Sequence, residues 1–222
     1  MKLTLHHAHP WDLDPEEAIT LQRRLAQLVK EEPWPQPPRS VGGVDMSVRG
    51  DQVQAAVVVL QLPELTPVDQ ATWRGQVEFP YIPGLLSFRE VPAVLRTLEQ
   101  LKTLPDVLMA DGQGRAHPRR FGLACHLGVL LDWPTIGVAK SRLYGMHDEP
   151  SPEQGAYTPL RAGGDVLGVA LRTRAQTRPV YVSVGHRATL NQAIALTLSC
   201  TIRYRIPEPT RRAHLLSKQK GE

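Results

Sequence analysis

Apolar positions along the chain recur with two periods, and the switches between them mark out its elements. Residues 14 to 32 carry Ala18, Leu21, Leu25 and Leu28 at helical spacing. Asp14, Pro15 and Glu17 stand ahead of them as an N-cap, a first-turn proline and the far half of a capping box, so an opening helix is predicted. The proline-rich stretch from Pro33 to Pro38 cannot continue a helix and reads as a stiff connection. Beyond it, VGGVDMSV and QVQAAVVVLQL read as two strands of a hairpin turning at Arg49, Gly50 and Asp51, and TWRGQVEF reads as a third. Helical spacing returns over about 89 to 102 through Val91, Val94, Leu95, Leu98 and Leu101. The rest reads as a strand in DVLMAD and a helix from Pro118 through RRFGLACHLGVLLD. A strand in PTIGVAKSRL follows, then a strand pair in VLGVALRT and PVYVSVGH. A closing helix opens at Thr189 with Gln192 and runs to about Arg203.

In the helix expected from Pro118, Gly122, Ala124, Cys125 and Gly128 are small enough to let its backbone lie close to a neighbour. Three successive antiparallel strands followed by helix, strand, helix, strand, helix is the order of the ribonuclease H-like fold, an α/β mixed sheet with helices on both faces. At 222 residues the chain suits one buried α/β core, and residues 1 to 222 read as a single domain.

Composition narrows the class. Hydrophobic residues make up 41% and charged residues 22%, and no apolar run approaches the roughly 18 residues that cross a bilayer, so a membrane protein is not expected. The start MKLTLHHAHPWD has one lysine and no apolar core of signal-peptide length, which predicts a cytoplasmic protein. Cys125 and Cys200 are too few for a disulfide scaffold and have no C-x-x-C spacing for zinc, so each reads as a small buried hydrophobe. The net charge of +4 is carried by the end of the chain. From Arg203 onward six basic residues face two glutamates, and the remaining chain is balanced at 20 of each sign. That basic tail reads either as a solvated terminus or as a strip facing phosphate.

The candidate chemistry lies where elements end. Asp45 follows an apolar strand with two glycines, where a carboxylate is costly unless a cation or hydrogen bonds receive it. Asp111 closes VLMAD and enters the glycine-bracketed turn GQG, which leaves nearby backbone open to a ligand. In a ribonuclease H-like sheet these two strands are neighbours, so both carboxylates would emerge at one sheet edge and could share a metal ion. Glu90 follows Ser87 as a capping box would have it, but Pro92 argues against Ser87 as N-cap. A helix starting nearer Glu90 leaves that carboxylate free to turn toward the site. His214 lies in PEPTRRAHLL, in a short turn able to be helical, either as a metal partner suited to Mn²⁺ or as a proton carrier. His117 and Lys140 add donors nearby, and a lysine there can stabilise a developing phosphorane-like charge or position water. Pro80, Tyr81, Ile82 and Pro83 form a rigid apolar tip able to wedge between bases. His6, His7 and His9 lack accompanying carboxylates and read as terminal sequence.

The order and wording of VGGVD, PYIPGLLSFRE, DGQGRAHPRRFG, TIGVAKSRLYG and PEPTRRAH resemble endonuclease V, a repair nuclease family for deaminated adenine, over about Val41 to Leu215. The resemblance implies a Mg²⁺-dependent endonuclease, with Mn²⁺ as a substitute. It would nick DNA at the second phosphodiester bond 3′ to deoxyinosine and leave 3′-hydroxyl and 5′-phosphate ends. It casts Asp45, Asp111 and Glu90 as metal ligands, with Lys140 and His214 in the catalytic set and His117 in support. Family members carry Asp or His at the position of His214. Pro80 to Pro83 become a strand-separating wedge, and Gly84, Leu86, Gly122 and Leu143 a hypoxanthine pocket. The implied partner is inosine-containing DNA, bound by a monomer. Competing readings are an inosine-specific endoribonuclease, a non-catalytic inosine-binding module and a base-removing glycosylase, the last disfavoured by the carboxylates.

Overall fold

The computed structural model describes residues 2–219. One eight-stranded sheet organises them in the order β3-β2-β1-β4-β5-β8-β7-β6. The antiparallel meander consists of β1 (Ser40–Arg49), β2 (Gln52–Gln61) and β3 (Thr66–Gln76). Two strands, β4 (Val107–Ala110) and β5 (Thr135–Ala139), then run parallel to β1 at the sheet centre. The antiparallel strands β6 (Tyr157–Ala162), β7 (Asp165–Leu171) and β8 (Val180–His186) complete the sheet, with β8 against β5. This is the mixed α/β, ribonuclease H-like architecture expected from the element order.

Alternation along the central strands feeds a core on each face. Val41, Met109, Ile136 and Val182 point to one core, closed by α4 (Leu190–Ser199) and α5 (Glu208–Ser217). Val44, Leu108 and Ala110 point to the other, closed by α2 (Leu86–Leu98) and α3 (Leu123–Leu131). The first helix, α1 (Pro15–Ala26), packs on α3 through Ala18, Leu21 and Leu25. Its capping box is complete, with Asp14 accepting from the Glu16 and Glu17 amides and Glu17 accepting from the Asp14 amide.

Several boundaries differ from the sequence reading. The opening helix ends at Ala26, so Leu28 lies beyond it and is 37% exposed. The third strand begins six residues earlier, at Thr66. Helix α2 starts at Leu86 and keeps Pro92 inside it. Packing of Phe88, Val91, Val94 and Leu98 holds it together despite the missing donor. Residues 118 to 122 are loop, with Arg120 at φ 59°, so α3 begins at Leu123 and not at Pro118. The fifth strand stops at Ala139 and α4 at Ser199. Strand β6 went unread, although Gly163 and Gly164 at φ 59° and 88° supply the turn that pairs it with β7.

The described part of the basic tail is neither frayed nor free. Residues 208 to 217 form α5, laid across β1 and β2. Arg211 and Arg212 both pair with Glu208, at 2.7 and 3.1 Å, and Arg211 also stacks 4.7 Å from the Tyr204 ring. These two cations are therefore largely satisfied within the fold, against the reading of a phosphate-facing strip. Lys220 and Glu222 of the predicted tail lie outside the described residues. No helix among the described residues is long and apolar enough to cross a membrane. Cys125 and Cys200 are free, buried thiols pushed up to about 12 by desolvation.

Candidate active site

Strand register brings the first two carboxylates together. Val44 of β1 pairs with Ala110 of β4, and the Asp111 amide donates to the Val44 carbonyl at 2.9 Å. Asp45 and Asp111 each stand one residue beyond that pair, on neighbouring strands running the same way. Asp45 is not at a strand end: β1 continues to Arg49 against β2, and what ends beside Asp45 is β4. Lys140 follows β5 in the same manner and its ammonium pairs with Asp111 Oδ2. Three neighbouring parallel strands thus deliver Asp45, Asp111 and Lys140 to one edge.

The third group arrives from α5. The helix lies close on β1 because Gly43 has no side chain: a Cβ there would sit 2.0 Å from the Pro209 backbone. Two residues on, Asp45 meets the same helix. His214 Nδ1 is 3.1 Å from Asp45 Oδ2, and the Ser217 hydroxyl donates to that oxygen at 2.7 Å. One potential ligand atom from each of Asp45, Asp111 and His214 lies within 4.8 Å of the others. His214 therefore sits on a regular helix of 10 residues, helical as the turn was allowed to be but longer than expected.

Glu90, on α2, is not among those three, but its carboxyl feels them. Burial first, then the charges of Asp45 and Asp111, push it up to about 8. Asp111 is also pushed up by burial and by Asp45, against the opposing pull of Lys140. Carboxylates that resist ionising beside one another, with a single lysine among them, are a donor set that suits a hard divalent cation. The residues fit such an ion, and His214 tolerates a softer one such as Mn²⁺.

Beside this centre lies a cavity of about 360 Å³, within the usual range of about 300 to 1,000 Å³ for ligand sites. Asp111, Glu90 and Lys140 line it, as do Tyr81, Ile82, Pro83, Gly84, Leu86, His117, Gly122 and Leu143. Almost every residue singled out in the sequence thus meets in one place; Asp45 and His214 adjoin it through Asp111, and Pro80, the remaining wedge residue, precedes the lining run. Tyr81 is 70% exposed at the mouth. The tip to which it belongs is anchored at Gly84, at φ 83°, whose carbonyl accepts from Gln22 Nε2 at 3.0 Å and Arg119 Nη2 at 2.8 Å. His117 completes this clamp. Its Nδ1 accepts from the Arg119 amide at 3.1 Å, so Nε2 carries the proton and faces the same carbonyl at 3.0 Å. Burial and the Arg119 charge hold His117 at about 4, which keeps it neutral.

The turn after Asp111 is packed as tightly as its glycines suggested. A Cβ on Gly114 would lie 2.0 Å from the Val184 carbonyl oxygen, and one on Gly122 2.3 Å from the Gln113 oxygen. Sequence reasoning missed Gln22, Ser217, Gln113 and Ser141, all of which line the cavity or hold the centre. Gln22 left a signal: it is a polar residue inside the buried stripe of α1, between Leu21 and Leu25. Ser217 stands one helical turn after His214 and would have been found only by recognising α5. Of the opening histidines, His9 is not loose terminal sequence. His9 is half-buried and packs on Trp11 and His126, with its Nε2 2.8 Å from His126 Nε2.

Comparison with known proteins agrees with this geometry. The family model for Endonuclease V matches residues 23–215. An Endonuclease V of Roseiflexus castenholzii is 53% identical over 95% of each chain. The crystal structure of Endonuclease V from Streptomyces avermitilis superposes with a TM-score of 0.90 at 48% identity, covering 97% of this chain and 96% of that one. An Endonuclease V of Ciona intestinalis, in complex with a 23mer DNA containing an inosine followed by a ribo-adenosine, superposes with a TM-score of 0.82. It is 28% identical and covers 93% of this chain and 97% of that one. The chain therefore belongs to the endonuclease V family, nucleases that cleave phosphodiester bonds.

Proposed function

We propose that this chain, acting as one catalytic domain and a monomer, recognises deoxyinosine in DNA. It nicks the second phosphodiester bond on the 3′ side and leaves 3′-hydroxyl and 5′-phosphate ends. The observation that carries the reading is the meeting of Asp45, Asp111 and His214 within 4.8 Å beside a cavity edged by Tyr81 and Ile82.

Asp45 and Asp111, with Glu90 at their side, would hold Mg²⁺. When bound, such an ion would supply a water of lowered pKa and offset charge on the leaving oxygen. Lys140, steered by Asp111, offers a cationic donor to the scissile phosphate. His214, hydrogen-bonded to Asp45 and partly open to solvent, is placed to carry a proton between the site and water. Tyr81 and Ile82 enter the base stack from a tip whose prolines and clamped Gly84 leave little to freeze on binding. The extruded base enters the cavity between Gly84, Leu86, Gly122 and Leu143. Gly122 lines the cavity as the N-cap of α3, so a base seated there lies by the helix N-terminus, where an acceptor such as the hypoxanthine oxygen is favoured over the adenine amino group.

The test is cleavage of an end-labelled inosine duplex with and without Mg²⁺, mapped to the nucleotide. A single Mg²⁺-dependent cut one nucleotide beyond the bond adjoining inosine is expected. Release of free hypoxanthine, or tight binding with no cut, would overturn the reading. The ribo-adenosine after inosine in the Ciona complex favours examining a second reading, an inosine-directed endoribonuclease. Matched DNA and RNA oligonucleotides cut side by side decide between the two.

A further inference from the structure

The loop that follows Asp111 turns outward through Arg115, Arg119 and Arg120, and these meet Arg23 of α1 around a second cavity of about 390 Å³. Glu31 is the one carboxylate among its described lining residues, and Arg115 already takes it. Arg120 is drawn off by Asp165 at 3.3 Å. Arg119 spends its side chain on neutral acceptors, Gln22 Oε1 and the Gly84 carbonyl. Among the described residues, Arg23 has no carboxylate within 4.0 Å. Burial, and then the nearby charge of Arg23, hold the Arg119 guanidinium below its ordinary range. Two guanidiniums therefore share one concavity with no counter-charge of their own, and one of them is locked in place by its hydrogen bonds.

The position of this cavity is as informative as its charge. The bridge from Gln22 through Gly84 to Arg119 separates it from the cavity that holds Asp111, and the same Gly84 anchors the wedge. The second cavity thus adjoins, across one shared carbonyl, the tip past which a base would enter the first.

We propose that the cavity between α1 and the Arg115–Arg120 loop binds a backbone phosphate of the strand that supplies the extruded base, with Arg23 and Arg119 as the phosphate-facing cations. The assignment rests on the reading of the chain as a nuclease for inosine-containing strands. Contacts of this kind contribute affinity without sequence preference, and each neutralised phosphate releases a counterion. Arg23 is the residue to test, because it is exposed and, among the described residues, pairs with no carboxylate whose loss would disturb folding.

Binding of the full chain to inosine duplex and to a matched adenine duplex is measured by anisotropy without divalent ion over a range of salt. In Arg23→Ala the slope of log affinity against log salt should fall by about 0.9, and affinity should drop by a similar factor on both duplexes. Arg23→Lys should retain the slope. An unchanged slope in Arg23→Ala, or a loss confined to the inosine duplex, would overturn the proposal. Failure of the functional reading looks different: the wild type itself would not cut inosine duplex with Mg²⁺ present.

Discussion

At Asp111 two demands compete: the fold buries the carboxyl, and the chemistry needs it charged. Burial and Asp45 raise it, Lys140 opposes them, and Glu90 beside the pair rises to about 8. If these carboxyls hold the proposed cation, removing one of them should release it and spare the surface proposed to grip nucleic acid. Asp111→Asn is expected to reduce nicking by about a thousandfold, the several kcal/mol that a bound cation contributes to the transition state. Gel shift on inosine duplex should show affinity within a few fold of wild type; full Mg²⁺ activity in this variant would sink the assignment. His117 illustrates the opposite bargain. It is held neutral as a clamp on Gly84, so its place in the cavity is positional, and a protonated His117 would lose its Nδ1 acceptor for the Arg119 amide.

Among the elements, α5 and the tip before α2 decide whether the residues meet. Gly43→Ala would drive a methyl group into the Pro209 backbone and lift α5 from β1. A loss of about 1 to 3 kcal/mol in stability is expected from such overpacking, read as a lower midpoint in urea. Cleavage should fall further than stability does, because His214 and Ser217 move with the helix. Tyr81→Ala should impair cutting of duplex more than of single-stranded inosine substrate, since only a duplex must be opened; equal losses on both would argue against a wedge. These two elements also mark the limit of what the sequence disclosed. VGGVD, PYIPG and DGQG announced themselves because glycine and proline next to a carboxylate or aromatic have few other uses. Helix α5 was hidden by Pro207 and Pro209, which read as breakers yet stand at its N-cap and second position. Strand β6 was hidden because Tyr157, Pro159 and Arg161 face outward at the sheet edge, leaving Leu160 as its one fully buried side chain.

Across the whole molecule, buried titratable groups pull stability in opposite directions with pH. His117, His126 and His186 are all lowered, chiefly by desolvation. The unfolded chain binds their protons first, so stability falls as pH drops from about 6.5 toward 4. Glu90 and Asp111 are raised, so the metal-free fold loses stability as pH rises from the ordinary carboxylate range through about 8. Melting temperature without divalent ion should therefore peak near neutrality and decline on both sides. Saturating Mg²⁺ or Mn²⁺ should flatten the alkaline decline and leave the acid one, with the largest thermal shift above pH 8. An ion-induced shift equal at pH 6 and pH 9 would show that these carboxyls do not hold the metal.

The pairing of Val44 with Ala110 joins segments 66 residues apart in the chain. A slip of β4 by a single residue would turn Asp111 through the sheet to the α2 side, since side chains alternate between faces. Collapsed chains with that error can look well ordered and still have no place for a cation. Asp45 and Asp111 therefore meet only once the long-range topology is correct, and the candidate centre is assembled no earlier than the sheet itself.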